Sequence, residues 1–265
     1  MSFAKIHVKP DTLDDENRKF AQRSLDQPLF LNSIPKGGSH LLRNIIRMFV
    51  PVESQYQAEF IQYQFLPQHR SAFEPGRKML SWGHMVALDA SRSALAGARH
   101  ILLVRDPYDW VLARARFFLS DEFQVGLDHL KQPDVPVETI LNLMIDGTKP
   151  QLAPLAVTYM YNAVAWLDDG VKVVRYEDLV DAVRKVDSDV GEAFFDDLLA
   201  GCGIGRPGDW RERVRIGADP AQSGTARQNL SGMAQRIPDE LPMAQKQLVD
   251  LRAPGLRRIF GYEPK

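Results

Sequence analysis

Short apolar runs recur at Leu29–Ile34, Lys78–Trp82, His100–Val104 and Val171–Arg175, and each is followed by apolar positions spaced three and four apart. Such runs read as strands buried on both faces, and the helical spacing after them reads as crossovers, the pattern of a parallel sheet. Helices are expected to start near Gly38, Met85, Asp106 and Glu177, with further helical texture over Pro136–Ile145 and Leu155–Leu167. The prediction is an α/β fold: a single doubly wound domain over residues 1–265, its central, mainly parallel sheet flanked by helices. Residues 1–27 read as a polar lead-in with a short helix. Pro51–Arg77, rich in Gln and aromatics, and the polar Ser120–Pro136 read as long insertions that cover a substrate.

Composition narrows the function. With 265 residues and 45% apolar content the chain can bury a sizeable core. Lys+Arg 33 against Asp+Glu 34 gives a formal charge of −1, so there is no global basic field and nucleic acid is not expected as a partner. Cys202 is the sole cysteine, which excludes an intrachain disulfide and any multi-cysteine metal site, and no other cluster asks for a metal. The N-terminal segment carries Asp11, Asp14, Asp15, Glu16, Arg18 and Lys19 without an apolar signal core. No stretch offers the roughly 20 uninterrupted apolar residues of a membrane span. The expectation is a cytoplasmic protein without stable membrane insertion.

Chemistry concentrates at Pro35-Lys36-Gly37-Gly38-Ser39-His40-Leu41-Leu42, between the first strand and the helical pattern Leu42, Ile45, Ile46, Phe49. A helix start leaves backbone N–H groups unpaired, and two glycines let an anion approach them, so a phosphate or sulfate suits this turn. Lys36 adds a full positive charge. The nucleotide-triphosphatase loop reads Gly-x-x-x-x-Gly-Lys-Ser/Thr, whereas Lys36 here precedes both glycines.

This octapeptide resembles the 5′-phosphosulfate loop of sulfotransferases that use 3′-phosphoadenosine 5′-phosphosulfate (PAPS), usually Pro-Lys-Ser/Gly-Gly-Thr. Three further stretches match that family in order. Arg105-Asp106-Pro107-Tyr108-Asp109-Trp110-Val111 resembles the element whose arginine, with a serine eight positions on, binds the 3′-phosphate; Ala113 stands at that serine's place. The lost hydroxyl donor is worth roughly 1.5–3 kcal/mol, with Arg114 and Arg116 as candidate replacements. His84, between the two motifs, is implied to be the general base, and Trp82 stands where many relatives carry a lysine. Lys172-Val173-Val174-Arg175-Tyr176-Glu177-Asp178-Leu179 resembles the strand that brings a tyrosine to the adenine, which assigns Tyr176.

The closing 3′-phosphate loop of that family is matched by Ser223-Gly224-Thr225-Ala226-Arg227-Gln228-Asn229-Leu230, without the usual preceding Arg-Lys-Gly. It assigns Thr225, Ala226 and Arg227. Gly208-Asp209-Trp210-Arg211 imitates the wording of that region but reads on as a surface helix.

The resemblance implies transfer of the PAPS sulfuryl group to a hydroxyl, less readily an amine, of a small-molecule or carbohydrate acceptor, with PAP as product and no metal. His84 and Lys36 carry the catalysis; Lys36, Gly37, Gly38, Ser39, His40, Leu41, Arg105, Tyr176, Thr225, Ala226 and Arg227 hold the donor. The alternatives are a P-loop kinase-like phosphotransferase and a non-catalytic nucleotide-binding relative. Aromatics in Tyr56–Phe73 and Phe117–Phe123 could line an acceptor pocket or belong to the core, and Leu241–Leu256 could be a packing helix or a homodimer interface.

Overall fold

All four apolar runs form strands, and a fifth joins them. The structure, a computed structural model, describes residues 10–57, 60–120, 127–148, 152–167, 170–223 and 236–262. The strands are β1 Leu29–Ser33, β2 Ile61–Gln62, β3 Leu80–His84, β4 Arg99–Val104 and β5 Lys172–Arg175, in the order β2-β3-β1-β4-β5 with every pairing parallel. The helices are α1 Leu13–Asn17, α2 Ser39–Arg47, α3 Asp89–Leu95, α4 Pro107–Phe118, α5 Val137–Asp146 and α6 Leu155–Asn162. They continue with α7 Tyr176–Arg184, α8 Asp189–Gly201, α9 Trp210–Ala218, α10 Met243–Arg252 and α11 Leu256–Ile259. The α/β fold expected from the sequence is the one observed, a parallel sheet flanked by helices.

Contacts divide the described residues into two compact units, 10–104 with 161–223, and 105–160 with 236–262. In the first, strand alternation sends Leu29, Leu31, Ile101, Leu103 and Val174 to one face, where Leu42, Ile45 and Ile46 of α2, Leu179 of α7, Leu198 of α8 and Trp210 of α9 complete a buried core. Each such side chain contributes roughly 1.5–3 kcal/mol on burial. The opposite face carries Phe30 against Phe73, and His100 against Trp166 with ring centres 4.7 Å apart. In the second unit, α10 packs on α4 and α5, so Leu241–Leu256 supplies a packing helix, and Gln245 Nε2 donates to Asn142 Oδ1 at 3.1 Å.

Three expectations need correction. The helix expected near Met85 starts at Asp89, because Met85 is bound at both backbone atoms to the Asn32 side chain and Ala87 N–H donates to the Tyr161 carbonyl, holding the segment extended. Pro51–Arg77 is not simply an insertion: it supplies β2 and buries Leu66, Ala72 and Phe73. The stretch read as a surface helix, α9, is packed on α2, with Trp210 and Arg213 buried. Its charges misled, because the Arg213 guanidinium finds every acceptor inside: Asp209, Gln22 Oε1 and the carbonyls of Ala21 and Met48.

Candidate functional site

In strand order 2-3-1-4-5 the chain leaves β1 for one side of the sheet and later returns to its other side at β4, so β1 lies at the switch point where α/β sheets bind ligands beyond their carboxyl ends. The Lys36 loop follows β1, His84 ends β3, Arg105 follows β4, and Tyr176 follows β5.

The loop is a strained turn. Gly37 N–H donates to the Ile34 carbonyl at 3.0 Å, Lys36 takes φ 66° and Gly38 takes φ 95°. Left-handed backbone costs a side-chain-bearing residue about 1–2 kcal/mol, so Lys36 is held there by its surroundings. α2 then begins at Ser39 with no side-chain cap and no acidic residue in its first turn, leaving its amide end to an anion. Tyr176, the first residue of α7, lays its ring on Gly38: a Cβ at Gly38 would come within 3 Å of Cδ2 and Cε2. The glycine is thus required twice, by its φ and by the ring.

His84 is fixed by its neighbour strand. Its Nδ1 lies 2.9 Å from the Ser33 carbonyl and 3.1 Å from Ser33 Oγ. A carbonyl can only accept, so Nδ1 carries the proton and Nε2 keeps its lone pair. Just beyond His84, the fully buried Asn32 clamps Met85, donating to its carbonyl at 3.2 Å and accepting from its N–H at 2.9 Å. Burial pushes the His84 pKa down to about 4; the hydrogen bond with Ser33 opposes this and the Lys36 charge reinforces it. His40 is likewise lowered to about 4 by burial, then by Arg43 and Lys36.

An aromatic wall adjoins these groups. The His40 ring meets Trp82 edge-on at 5.1 Å, Phe60 lies 5.7 Å from Trp82 and 5.1 Å from His84, and the Arg43 guanidinium carbon sits 4.5 Å above the centre of a Trp82 ring. Lys36, Gly37, Gly38, Ser39, His40, Leu41, His84 and Tyr176 therefore all lie in the sheet-bearing unit.

Arg105 belongs to the other unit, where its backbone is anchored: the Tyr159 hydroxyl donates to the Arg105 carbonyl at 2.8 Å. Asp106 caps α4 through Tyr108 N–H at 2.9 Å and accepts both Arg257 Nε at 3.1 Å and Arg257 Nη2 at 2.9 Å. The candidate replacements for the serine absent at Ala113 have other tasks. Arg114 is buried and donates to the Met144 and Ala153 carbonyls, and Arg116 holds the Pro238 carbonyl and Asp239. Thr225, Ala226 and Arg227 lie outside the described residues. Among the described residues no group of acidic, His or Cys side chains could hold a metal ion, and no helix is long and apolar enough to cross a membrane.

Sequence reasoning missed Asn32, Arg43 and Arg257. Asn32 and Ser33 carried a signal, two polar residues closing the apolar run from Leu29; Arg43 and Arg257 carried none, since their partners are remote in sequence.

No family model matches the chain, and no curated protein matches it in sequence. Among solved structures, mouse sulfotransferase SULT7A1 complexed with PAP is similar with a TM-score of 0.55 at 15% identity, over 93% of this chain and 88% of that one. Likeness at this identity establishes a sulfotransferase-like fold.

Proposed function

We propose that this protein is a PAPS-dependent sulfotransferase acting on a hydroxyl of a small-molecule or carbohydrate acceptor. The observation that carries the reading is the hydrogen bond from His84 Nδ1–H to the Ser33 carbonyl, which ties the ring to the strand that runs into the Lys36 loop and leaves Nε2 as its proton-accepting nitrogen. The loop suits the donor: an uncapped helix start, a lysine, and a glycine whose missing Cβ makes room against Tyr176. By resemblance, Lys36, Gly37, Gly38, Ser39, His40 and Leu41 would take the 5′-phosphosulfate, Tyr176 the adenine, and Arg105 with Thr225, Ala226 and Arg227 the 3′-phosphate.

Bound PAPS would supply a sulfuryl group on a phosphate leaving group. His84 Nε2 takes the acceptor's hydroxyl proton, a contribution of about 10²–10⁴ in rate for a positioned base. With a pKa near 4 the ring is neutral at pH 7, the form that can accept. The Lys36 ammonium offsets the negative charge that gathers on the leaving phosphate oxygen.

The test is calorimetric titration with PAP beside ADP, which lacks the 3′-phosphate, followed by sulfate transfer from PAPS. PAP should bind at least about tenfold more tightly than ADP, and Arg105→Ala should shrink that preference by about tenfold or more, as removal of a charge-assisted contact worth roughly 1.5–3 kcal/mol implies. Equal binding of the two nucleotides, or binding of neither, would overturn the assignment.

A further inference from the structure

Arg43 lies one turn into α2 from Ser39, partly buried, with its guanidinium over Trp82. Among the described residues it meets that ring and no hydrogen-bond or ion-pair partner. The carboxylates that reach it electrostatically, Asp11 and Asp14, both bond Arg47 instead. Burial and then the neighbouring Arg47 lower the Arg43 pKa to about 10, against the pull of Asp11 and Asp14, so it stays charged at neutral pH, and a charge partly taken out of water without a hydrogen-bonded counter-charge is unfavourable until an anion meets it.

Trp82 repeats the pattern. Its indole Nε1–H is buried with no acceptor among the described residues. Its rings continue through Phe60 to His84, so an aromatic wall runs from the proton acceptor to the unmet cation.

We infer that Arg43 over Trp82 is an anion subsite for the acceptor, and that the substrate class is a hydroxyl compound with a flat apolar body bearing a carboxylate or other oxyanion remote from that hydroxyl. The inference rests on the sulfotransferase reading only in calling this molecule an acceptor. The flat body lies against the partly exposed Phe60 ring while its oxyanion takes the Arg43 N–H groups, a charge-assisted contact. An ester of the same shape leaves the guanidinium unmet, so the site discriminates by charge rather than by size.

The probes are two phenolic acids of different length, 4-hydroxyphenylacetate and 4′-hydroxybiphenyl-4-carboxylate, each beside its methyl ester, titrated into the PAP-supplemented protein and then offered with PAPS. At one length or both, the acid should bind at least about tenfold more tightly than its ester, the span of a hydrogen bond to a charged group. Arg43→Gln should collapse the acid-to-ester ratio to near one and Arg43→Lys should restore part of it. Because the readout is a ratio, a general loss of fold or activity does not imitate this result. Equal binding of acid and ester at both lengths, or a preference that survives Arg43→Gln, would overturn the subsite. An Arg43-dependent acid preference without sulfate transfer would uphold the subsite and defeat the sulfotransferase reading. Transfer to acid and ester alike would do the reverse.

Discussion

Replacing Gly38 with alanine tests the geometry of the loop directly. Two costs follow from the structure. The residue keeps φ 95°, where an L side chain costs about 1–2 kcal/mol. Its new Cβ also overlaps Tyr176 Cδ2 and Cε2, so either the ring or the start of α2 must move, and overpacking of this kind costs typically about 1–3 kcal/mol. Together the destabilisation is about 2–5 kcal/mol, and the displaced helix start should weaken PAP binding beyond any loss of folded protein.

Urea unfolding measures the first effect as a fall in midpoint at unchanged slope, and calorimetry on the folded fraction measures the second. A double-mutant cycle with Tyr176→Ala separates the costs, because truncating the ring removes the overlap and leaves the φ strain. The cycle should show a coupling of about 1–3 kcal/mol, the share due to overpacking. A Gly38→Ala protein within about 0.5 kcal/mol of the parent, binding PAP as tightly, would refute both the turn geometry and the ring's place on it.

His84→Gln should lower turnover by about 10²–10⁴ while PAP still binds, and single-turnover kinetics would show it. The proposed mechanism needs neutral His84, and its pKa is about 4, so kcat/KM should hold through pH 6 and fall only as pH drops through that value; an acid limb at 6–7 would contradict the buried, Ser33-bonded ring. His100 is held neutral, its pKa pushed to about 3 by burial, so the unfolded chain binds a proton there at a pH where the folded chain does not. That contribution to stability is whole above about pH 6.5 and is lost as pH falls towards 3, so His100→Phe should flatten the acid decline in Tm, and an unaltered decline would count against it. Arg213→Ala should destabilise by about 1–3 kcal/mol in urea, because it leaves the Ala21 carbonyl without its donor while Asp209 can turn to water; a loss under about 0.5 kcal/mol would place the arginine at the surface after all.

What could be read in advance follows the range of each interaction. Leu29, Leu31, Ile101 and Leu103 announce buried strands because a side chain's burial is set by its own chemistry and its alternation. The loop could be read for a similar reason: two glycines, a lysine and a helix start are adjacent in the chain, and backbone geometry does the rest. Arg213 shows where the rule fails, since an arginine reads as solvent-facing unless its acceptors are known, and three of the four that bury it come from residues 21, 22 and 48.

His84 stands between these cases. Its place near the end of a strand could be read, but its tautomer depends on a carbonyl of β1, and its pKa on burial that no local pattern reveals. An unperturbed histidine would titrate near 6.5 and share its proton with the solvent at neutral pH. The buried ring is instead neutral throughout the physiological range, which trades basic strength for constant readiness. Under the proposed mechanism the free protein's base is therefore weak, and an anionic donor bound beside Lys36 should raise its pKa by cancelling the lysine's opposing charge. On that argument the acid limb of kcat, measured with donor bound, lies at higher pH than the limb of kcat/KM, and coincident limbs would show that Lys36 and His84 do not share the donor's field.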